Sequence, residues 1–408
     1  MNYEAMKAYA KIIVEMGVNV QAGQSVVVTT STNCDELAEL VVEECYAKGA
    51  SDVRMNWVNN KIQKLKFMNE SLEELSKFSD EEKAKYEAWV KKPPVKIYID
   101  DDDPDAFKGV AIEKLVEPKK ARYPFMKPYI DAMNGKAQWT IVAMPSLPWA
   151  RKMYPNLSDE DAMASLEKAI MHTMRMDQGD ALENWHQHID TLCEKAQKMN
   201  ALNLEELHYT ASNGTDLNIK LHPNHIWCTA YEKQENGISS CVNMPSEEVF
   251  THPDLKGVNG IVYSSKPLSY NGNLIENFSV EFKDGKAIHV TAEKGLEHLQ
   301  EMIKMDEGAS YLGEVALVPY DSPINQIGTL FYNTLFDENA SCHLALGDGI
   351  GEAIKGYEGK TKDELIQMGC NDSMIHVDFM VGTKDLDIVG ITKDHKEIKI
   401  FKDGLWAI

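Results

Sequence analysis

The chain has no excess of positive charge, no long apolar run and no paired-cysteine motif, and each lack argues against a class of function. Lys and Arg number 42 against 64 Asp and Glu, for a net charge of -22. Phosphate backbones are held by clustered Lys and Arg, so nucleic acid is not an expected partner. No stretch approaches the roughly 20 apolar residues of a membrane-spanning helix, and no membrane association is expected. The start, Met1-Asn2-Tyr3-Glu4, has neither the basic residues nor the apolar stretch of a signal peptide. The seven cysteines are scattered and odd in number. Without a CxxC pair they argue against a zinc ribbon or a disulfide framework, and the expected location is cytoplasmic. GxSxG, HExxH and P-loop motifs are missing too. Gly347, Gly349 and Gly351 fall short of GxGxxG because residue 352 is Glu. Cys342 has apolar neighbours, which favour an inert buried thiol over a nucleophile.

What is present is an ordinary globular composition. The chain has 408 residues, 43% of them hydrophobic and 26% charged. That length predicts two or three domains with a sizeable core. The first segment reads as a βαβ unit. Ser25-Val26-Val27-Val28-Thr29-Thr30 is a short apolar strand, and Asn33 or Asp35 can cap the helix that follows. Leu37, Leu40, Val41 and Cys45 recur at helical spacing before the stop at Lys48-Gly49, and Val53, Met55 and Trp57 alternate as a second strand. This order implies a parallel pair with a right-handed crossover. Lys96 to Ile99 and Thr140 to Ala143 predict further strands of the same sheet, and the acidic run Asp100 to Asp103 reads as a solvated turn. Residues 158–200 read as helical, with Ser158 as N-cap. Beyond them, short strands alternate with turn signals at Asn213-Gly214, Asn271-Gly272 and Asp284-Gly285. The expected organisation is an α/β N-terminal domain with a parallel sheet over 1–195. An α+β metal-binding domain rich in antiparallel strands follows over 196–408.

The residues that carry chemistry lie in the second half. In His376-Val377-Asp378 an imidazole and a carboxylate two apart on a strand project from one face, as two ligands of one metal would. A solvated polar strand face gives the same pattern. His343 is flanked by small and apolar residues, which fits either a buried ligand or a hydrogen-bonded core histidine. Glu314 is a lone acid inside Leu312 to Val318. Buried, it needs a cation; on a half-buried strand it would face water. Of the adjacent Glu247 and Glu248, strand alternation lets at most one reach a common site. His186 and His188, two apart on a helix, do not share a face, and His222-Pro223-Asn224-His225 reads as a turn. Two His, one Asp and two Glu would suit zinc, cobalt or manganese. Magnesium and calcium, which favour all-oxygen shells, fit less well, though magnesium stays on the list of candidate ions.

These segments together resemble the thermophilic-type metalloaminopeptidases, the family of aminopeptidase T and aminopeptidase S. The resemblance spans the chain. It includes Gly17 to Gln24, Ala47 to Ala50, Gly214 to Leu217 and Asn243 to Thr251, and then Leu312 to Val318, Thr334 to Gly347 and His376 to Phe379. It implies metal ligands at Glu248, Glu314, His343, His376 and Asp378. It also implies two divalent metal ions per chain, a peptide substrate with a free N-terminus, and a homodimer. It chooses Glu248 over Glu247, and it assigns no general base. The chain departs from the family pattern at Ile350, where the family offers a Tyr as a sixth contact; Tyr357 is the nearest substitute in sequence. The function so implied is a metal-dependent aminopeptidase that releases N-terminal amino acids by two-metal hydrolysis. One alternative is a mononuclear iron ring-cleaving dioxygenase of related fold, for which His343, His376 and Asp378 would suffice. Another is a non-enzymatic peptide-binding relative.

Overall fold

The computed structural model describes residues 1–408 except Asp102 and Asn271. The Asn271-Gly272 turn and the middle of the acidic run therefore lie outside the described residues. The chain divides into two compact units. One comprises Met1–Trp185 with Tyr231–Met244, the other His186–Ala230 with Pro245–Ile408.

The first unit grows from the βαβ element. Strand β1 (Ser25–Ser31), the helix Asp35–Ala47 and β2 (Asp52–Val58) follow one another, and β1 and β2 pair in parallel. Strands β3 (Val95–Asp100) and β4 (Trp139–Ala143) complete a parallel sheet of order β2-β1-β3-β4. Val26, Val28, Ile97, Ile99 and Val142 are buried in it, and burial of each such side chain contributes about 1.5–3 kcal/mol. The helix buries Leu37, Leu40, Val41 and Cys45, but neither Asn33 nor Asp35 caps it, because Cys34 occupies the cap position. Asn33 instead donates to Asp101 Oδ2 at 3.0 Å, and Ser31 Oγ donates to the same oxygen at 2.5 Å. Asp101 is thus a buried carboxylate satisfied by the end of β1 rather than part of a solvated turn. The segment Tyr231–Met244, far along the chain, is hydrogen-bonded to β4. Ile141 N–H donates to Val242 O at 2.9 Å, and Met244 N–H to Ile141 O at 3.0 Å.

The expected helical stretch 158–200 is two helices, Asp159–Thr173 and Ala181–Leu202. Ser158 caps the first by accepting from Asp161 N–H at 3.2 Å. Left-handed backbone at Arg175 and Gly179, φ 55° and 63°, breaks the run between them.

The second unit is antiparallel, as expected. Its larger sheet has eight strands, with Leu204–Thr210, Asp216–Leu221 and Asp387–Thr392 at its centre. The smaller sheet has five: β5 (Cys228–Thr229), β6 (Val249–Thr251), β7 (Leu312–Leu317), β8 (His343–Gly347) and β9 (His376–Met380). Its order is β9-β8-β7-β6-β5, antiparallel throughout. Val315, Leu317, Leu344, Leu346 and Phe379 of this sheet share one core with Leu207, Leu217, Ile219 and Ile388 of the larger. One face of the smaller sheet is therefore committed to packing, and the other is left for chemistry.

The Asp284-Gly285 signal is a two-residue hairpin turn with φ 49° and 84°, a type I′ geometry. A Cβ on Gly285 would stand 1.6 Å from Leu255 O. Gly356 has a similar φ of 86° but open space around it. Gly285→Ala is therefore expected to lower the unfolding temperature clearly more than Gly356→Ala, which costs only the about 1–3 kcal/mol of a left-handed non-glycine residue. Equal shifts in calorimetry would contradict the close approach at Leu255.

Candidate metal centre

Strand pairing builds the site. Residues two apart on a strand, and residues directly paired across strands, share a face. Glu314 pairs with Ala345, and Ala345 with Asp378; Ala316 pairs with His343, and Gly347 with His376. One face thus carries Glu314, His343, His376 and Asp378, with Ala316, Ala345 and Gly347 between them and Met380 and Phe250 at its margins. Small residues at these places leave room beside the charged groups. In β6, Val249 pairs with Leu317 on the core side, so alternation sends Glu248 toward the polar set.

The distances follow that layout. His343 Nε2 is 3.2 Å from Glu248 Oε2 and 4.0 Å from Glu314 Oε1. His376 Nε2 is 3.0 Å from Glu314 Oε2 and 3.3 Å from Asp378 Oδ1. Two trios of donor atoms result, Glu248-Glu314-His343 and Glu314-His376-Asp378, each with all its atoms within 4.8 Å of one another. Glu314 belongs to both, turning one carboxylate oxygen to each histidine. Glu248, Glu314, His343 and Asp378 are buried, and the His376 side chain keeps 32% of its surface open. All five residues singled out in the sequence are brought together. Glu247 is buried elsewhere: its Oε2 is 3.8 Å from His188 Nε2, and its N–H donates to Asn339 Oδ1 at 2.7 Å. His222 and His225 form the anticipated turn, with His225 N–H donating to His222 O at 2.8 Å.

Sequence reasoning missed Glu338. It sits in the 3-10 turn Glu338–Ala340 and is buried. Burial, and then the charges of Asp378, Glu248 and Glu314, push its carboxyl well above the usual range. In its protonated form it donates a hydrogen bond to Asp378. Its only signal in the sequence is an acid between Phe336 and Ala340, directly after a second acid, Asp337. Asp337 is a structural acceptor, receiving the N–H groups of Phe331 at 2.7 Å and Asn333 at 3.2 Å. Ile350 lies beside the site on an apolar patch of Phe250, Ala316 and Ala353. Tyr357 packs in a separate cluster with Ile354, Leu365 and Cys370. The Cys342 thiol is pushed up to about 12 by burial, as an inert core residue would be.

The electrostatics ask for cations. Four carboxyls, Glu248, Glu314, Glu338 and Asp378, lie in one mostly buried cluster with two imidazoles. Burial alone would lower His343, but the hydrogen bond and charge of Glu248, with Asp378 and Glu314 behind, raise it to about 9. Burial likewise opposes the His376 imidazolium, and the charge and hydrogen bond of Asp378 outweigh it and hold the pKa well above its usual value. Asp378, which burial alone would raise, is held at about 2 by the charge and hydrogen bond of His376. Asp378 Oδ1 is nonetheless buried without a well-formed hydrogen bond. A nitrogen-and-oxygen donor set in which the Asp378 Oδ1 contact to His376 is poorly formed fits a divalent metal such as zinc, cobalt or manganese.

Comparison with known proteins agrees with this chemistry. The profile of the thermophilic metalloprotease family, M29, matches residues 2–406. The aminopeptidase AmpS of Bacillus subtilis is 42% identical over 405 residues, covering 99% of this chain and 98% of that one. The aminopeptidase PepS of Streptococcus thermophilus is 40% identical over 407 residues, covering 99% and 98%. The solved structure of wild-type AmpT from Thermus thermophilus matches with a TM-score of 0.90 at 32% identity, covering 99% of each chain.

A histidine must be neutral to ligate a metal. In the metal-free protein His343, held at about 9, carries a proton at neutral pH. Loading with zinc near neutral pH is therefore expected to release protons, and the His343 share should vanish as pH rises through about 9. Calorimetric titrations in buffers of different ionisation enthalpy count them. Metal uptake with no proton release at neutral pH would contradict the charged imidazoles.

Proposed function

This chain belongs to the thermophilic metalloprotease family, M29, and is a peptidase hydrolase; from that premise we propose that it is an aminopeptidase working with two divalent metal ions. The observation that carries the proposal is the sharing of Glu314 between two donor trios. A carboxylate that turns one oxygen to each of two metal-ligand histidines is the arrangement that bridges a pair of ions. In this reading Glu248, Glu314 and His343 hold one ion, and Glu314, His376 and Asp378 hold the other. The donor set favours zinc, cobalt or manganese, with magnesium as a weaker candidate.

Bound ions would supply Lewis acidity, lowering the pKa of a water and polarising the scissile carbonyl. The remaining work falls to the chain. The Nδ1–H of His376 donates to Asp348 O at 2.8 Å, which leaves Nε2 as the ligand atom. Glu338 is buried beside Asp378 and belongs to neither donor trio. A carboxyl so placed can hand a proton to the leaving amine and take one back, so Glu338 is our candidate for the acid–base role. The excess of carboxylates also suits the free ammonium at a peptide's N-terminus. The mononuclear iron reading is not favoured, since such a site has no use for both Glu248 and Glu314. A binding protein without activity is not favoured either, because both trios are intact.

The same reading includes a homodimer in the cytoplasm. Ile62, Leu65 and Met68 stand exposed along the helix Asn60–Asn69, an apolar stripe that a second subunit could cover. The unpatterned cysteines support a reducing compartment. Among the described residues no helix is long and apolar enough to cross a membrane.

Aminoacyl-anilides and short peptides test the activity. Prolonged chelation is expected to abolish hydrolysis, and zinc, cobalt or manganese to restore it; acetylating the substrate's α-amine should prevent cleavage. Full activity in protein shown to be metal-free, or efficient cleavage of blocked peptides, would overturn the proposal.

Substitutions test the assignment of faces. Glu314→Gln and Glu248→Gln should each cut turnover by about a hundredfold or more, because Lewis-acid stabilisation is worth several kcal/mol. Glu247→Gln should stay close to wild type, since that side chain lies beside His188. Equal losses at positions 247 and 248 would reject the assignment.

A further inference from the structure

The orientation of His376 depends on a backbone carbonyl, and that carbonyl is unusually well fixed. Its oxygen belongs to Asp348, in the turn after β8. A Cβ on Gly313, the neighbour of Glu314, would stand 2.1 Å from Asp348 O. Glycine there lets the turn close down over β7. Gly347 makes the turn with φ 108°, and its carbonyl accepts from Asn371 Nδ2 at 2.6 Å. Gly349 N–H donates to Asn371 O at 3.0 Å, and Asp348 N–H to Ile375 O at 2.6 Å. The Asp348 side chain is anchored separately. Its Oδ1 accepts from Lys362 Nζ at 2.7 Å and from Ser373 N–H at 3.2 Å.

Lys362 is out of place by ordinary rules. It is the first residue of the helix Lys362–Met368, where the helix dipole disfavours a cation. Its side chain keeps only 16% of its surface, so its ammonium is largely desolvated. Both effects oppose a lysine, and the ion pair with Asp348 is the contact that offsets them.

We infer that Lys362 is a positioning residue for the ion held by Glu314, His376 and Asp378. It touches none of those three. Acting through Asp348, it holds the turn whose carbonyl receives the Nδ1–H of His376 and so aims Nε2 at the other two donors. Fixing the ring in advance removes an ordering cost from metal binding, and losses of such outer supports typically weaken binding about 10–100-fold. The inference rests on the two-ion reading given above.

The test compares the wild type with Lys362→Met, Lys362→Arg and Asp348→Asn, each prepared as the zinc-loaded full chain. Zinc per chain is measured after equilibration against graded chelator, together with thermal unfolding and kcat and KM on an aminoacyl-anilide. The wild type should hold two ions. Lys362→Met should release one of them at about 10–100-fold lower chelator strength, with the hold on the other ion unchanged. Lys362→Arg should restore the wild-type profile. Asp348→Asn, which keeps the shape of the side chain while weakening its pairing with Lys362, should loosen the same ion selectively and decides the matter if Lys362→Met does not fold. Wild-type affinity for both ions in either weakened variant overturns the inference. So does equal loosening of both ions with a lowered unfolding temperature, which marks a purely structural contact. A wild type that holds a single ion overturns the two-ion reading itself, and is seen in the wild-type measurement alone.

Discussion

The shared carboxylate of Glu314 is the constraint around which the second unit is organised. It sits in the middle of a buried strand, where an ionised group is expensive unless cations or strong donors surround it. His343 approaches from the adjacent strand β8 and His376 from β9 beyond it, one on each oxygen. Glu248 and Asp378 add negative charge, which sets three carboxylates against two imidazoles and keeps the neighbouring Glu338 carboxyl protonated. Such a cluster is unfavourable as folded protein alone and becomes favourable when divalent ions enter. Stability and function are therefore coupled at this one place.

The scaffold makes the cluster affordable by dividing the labour between two faces of a sheet. Val315, Leu344, Leu346 and Phe379 pack into the apolar core on one side. Between them along the same strands, Glu314, His343 and Asp378 emerge on the other. Packing thus fixes the backbone positions that the polar side needs. Ala316, Ala345 and Gly347 contribute by being small, and Gly313 by letting a neighbouring carbonyl come close. Around this, Asp348, Lys362 and Asn371 hold the turn that orients His376. Inert packing and site geometry are two results of one alternating pattern.

Much of the fold was legible locally. The period-2 and period-3.6 patterns marked β1, β2, β3 and β4 and the helix between the first two, and turn residues marked the antiparallel unit. The misses had local causes. The capping of Asp35–Ala47 failed because Asn33 had a better partner in Asp101, a residue distant in sequence. The helical stretch 158–200 broke where Arg175 and Gly179 turn left-handed, and nothing in the hydrophobic spacing marks a positive φ at an arginine. The pairing of Tyr231–Met244 with β4 is long-range, and short polar segments carry little sign of where they will dock.

The candidate site divides the same way. From the sequence alone came the residue types, the strand alternation that puts His376 and Asp378 together, the likeness to a metallopeptidase family, and the choice of Glu248 that this likeness implied. Local periodicity determines which way a side chain faces within its own strand, and that is as far as it reaches. Which strands become neighbours, and in what register, is decided by long-range burial of the opposite faces. Only that register shows that Glu314 is shared between two histidines, that Glu247 turns toward His188, and that Glu338 joins the cluster from a turn with no motif of its own. The tertiary structure decides these points because a metal site is assembled from atoms close in space, while a sequence orders them along a chain.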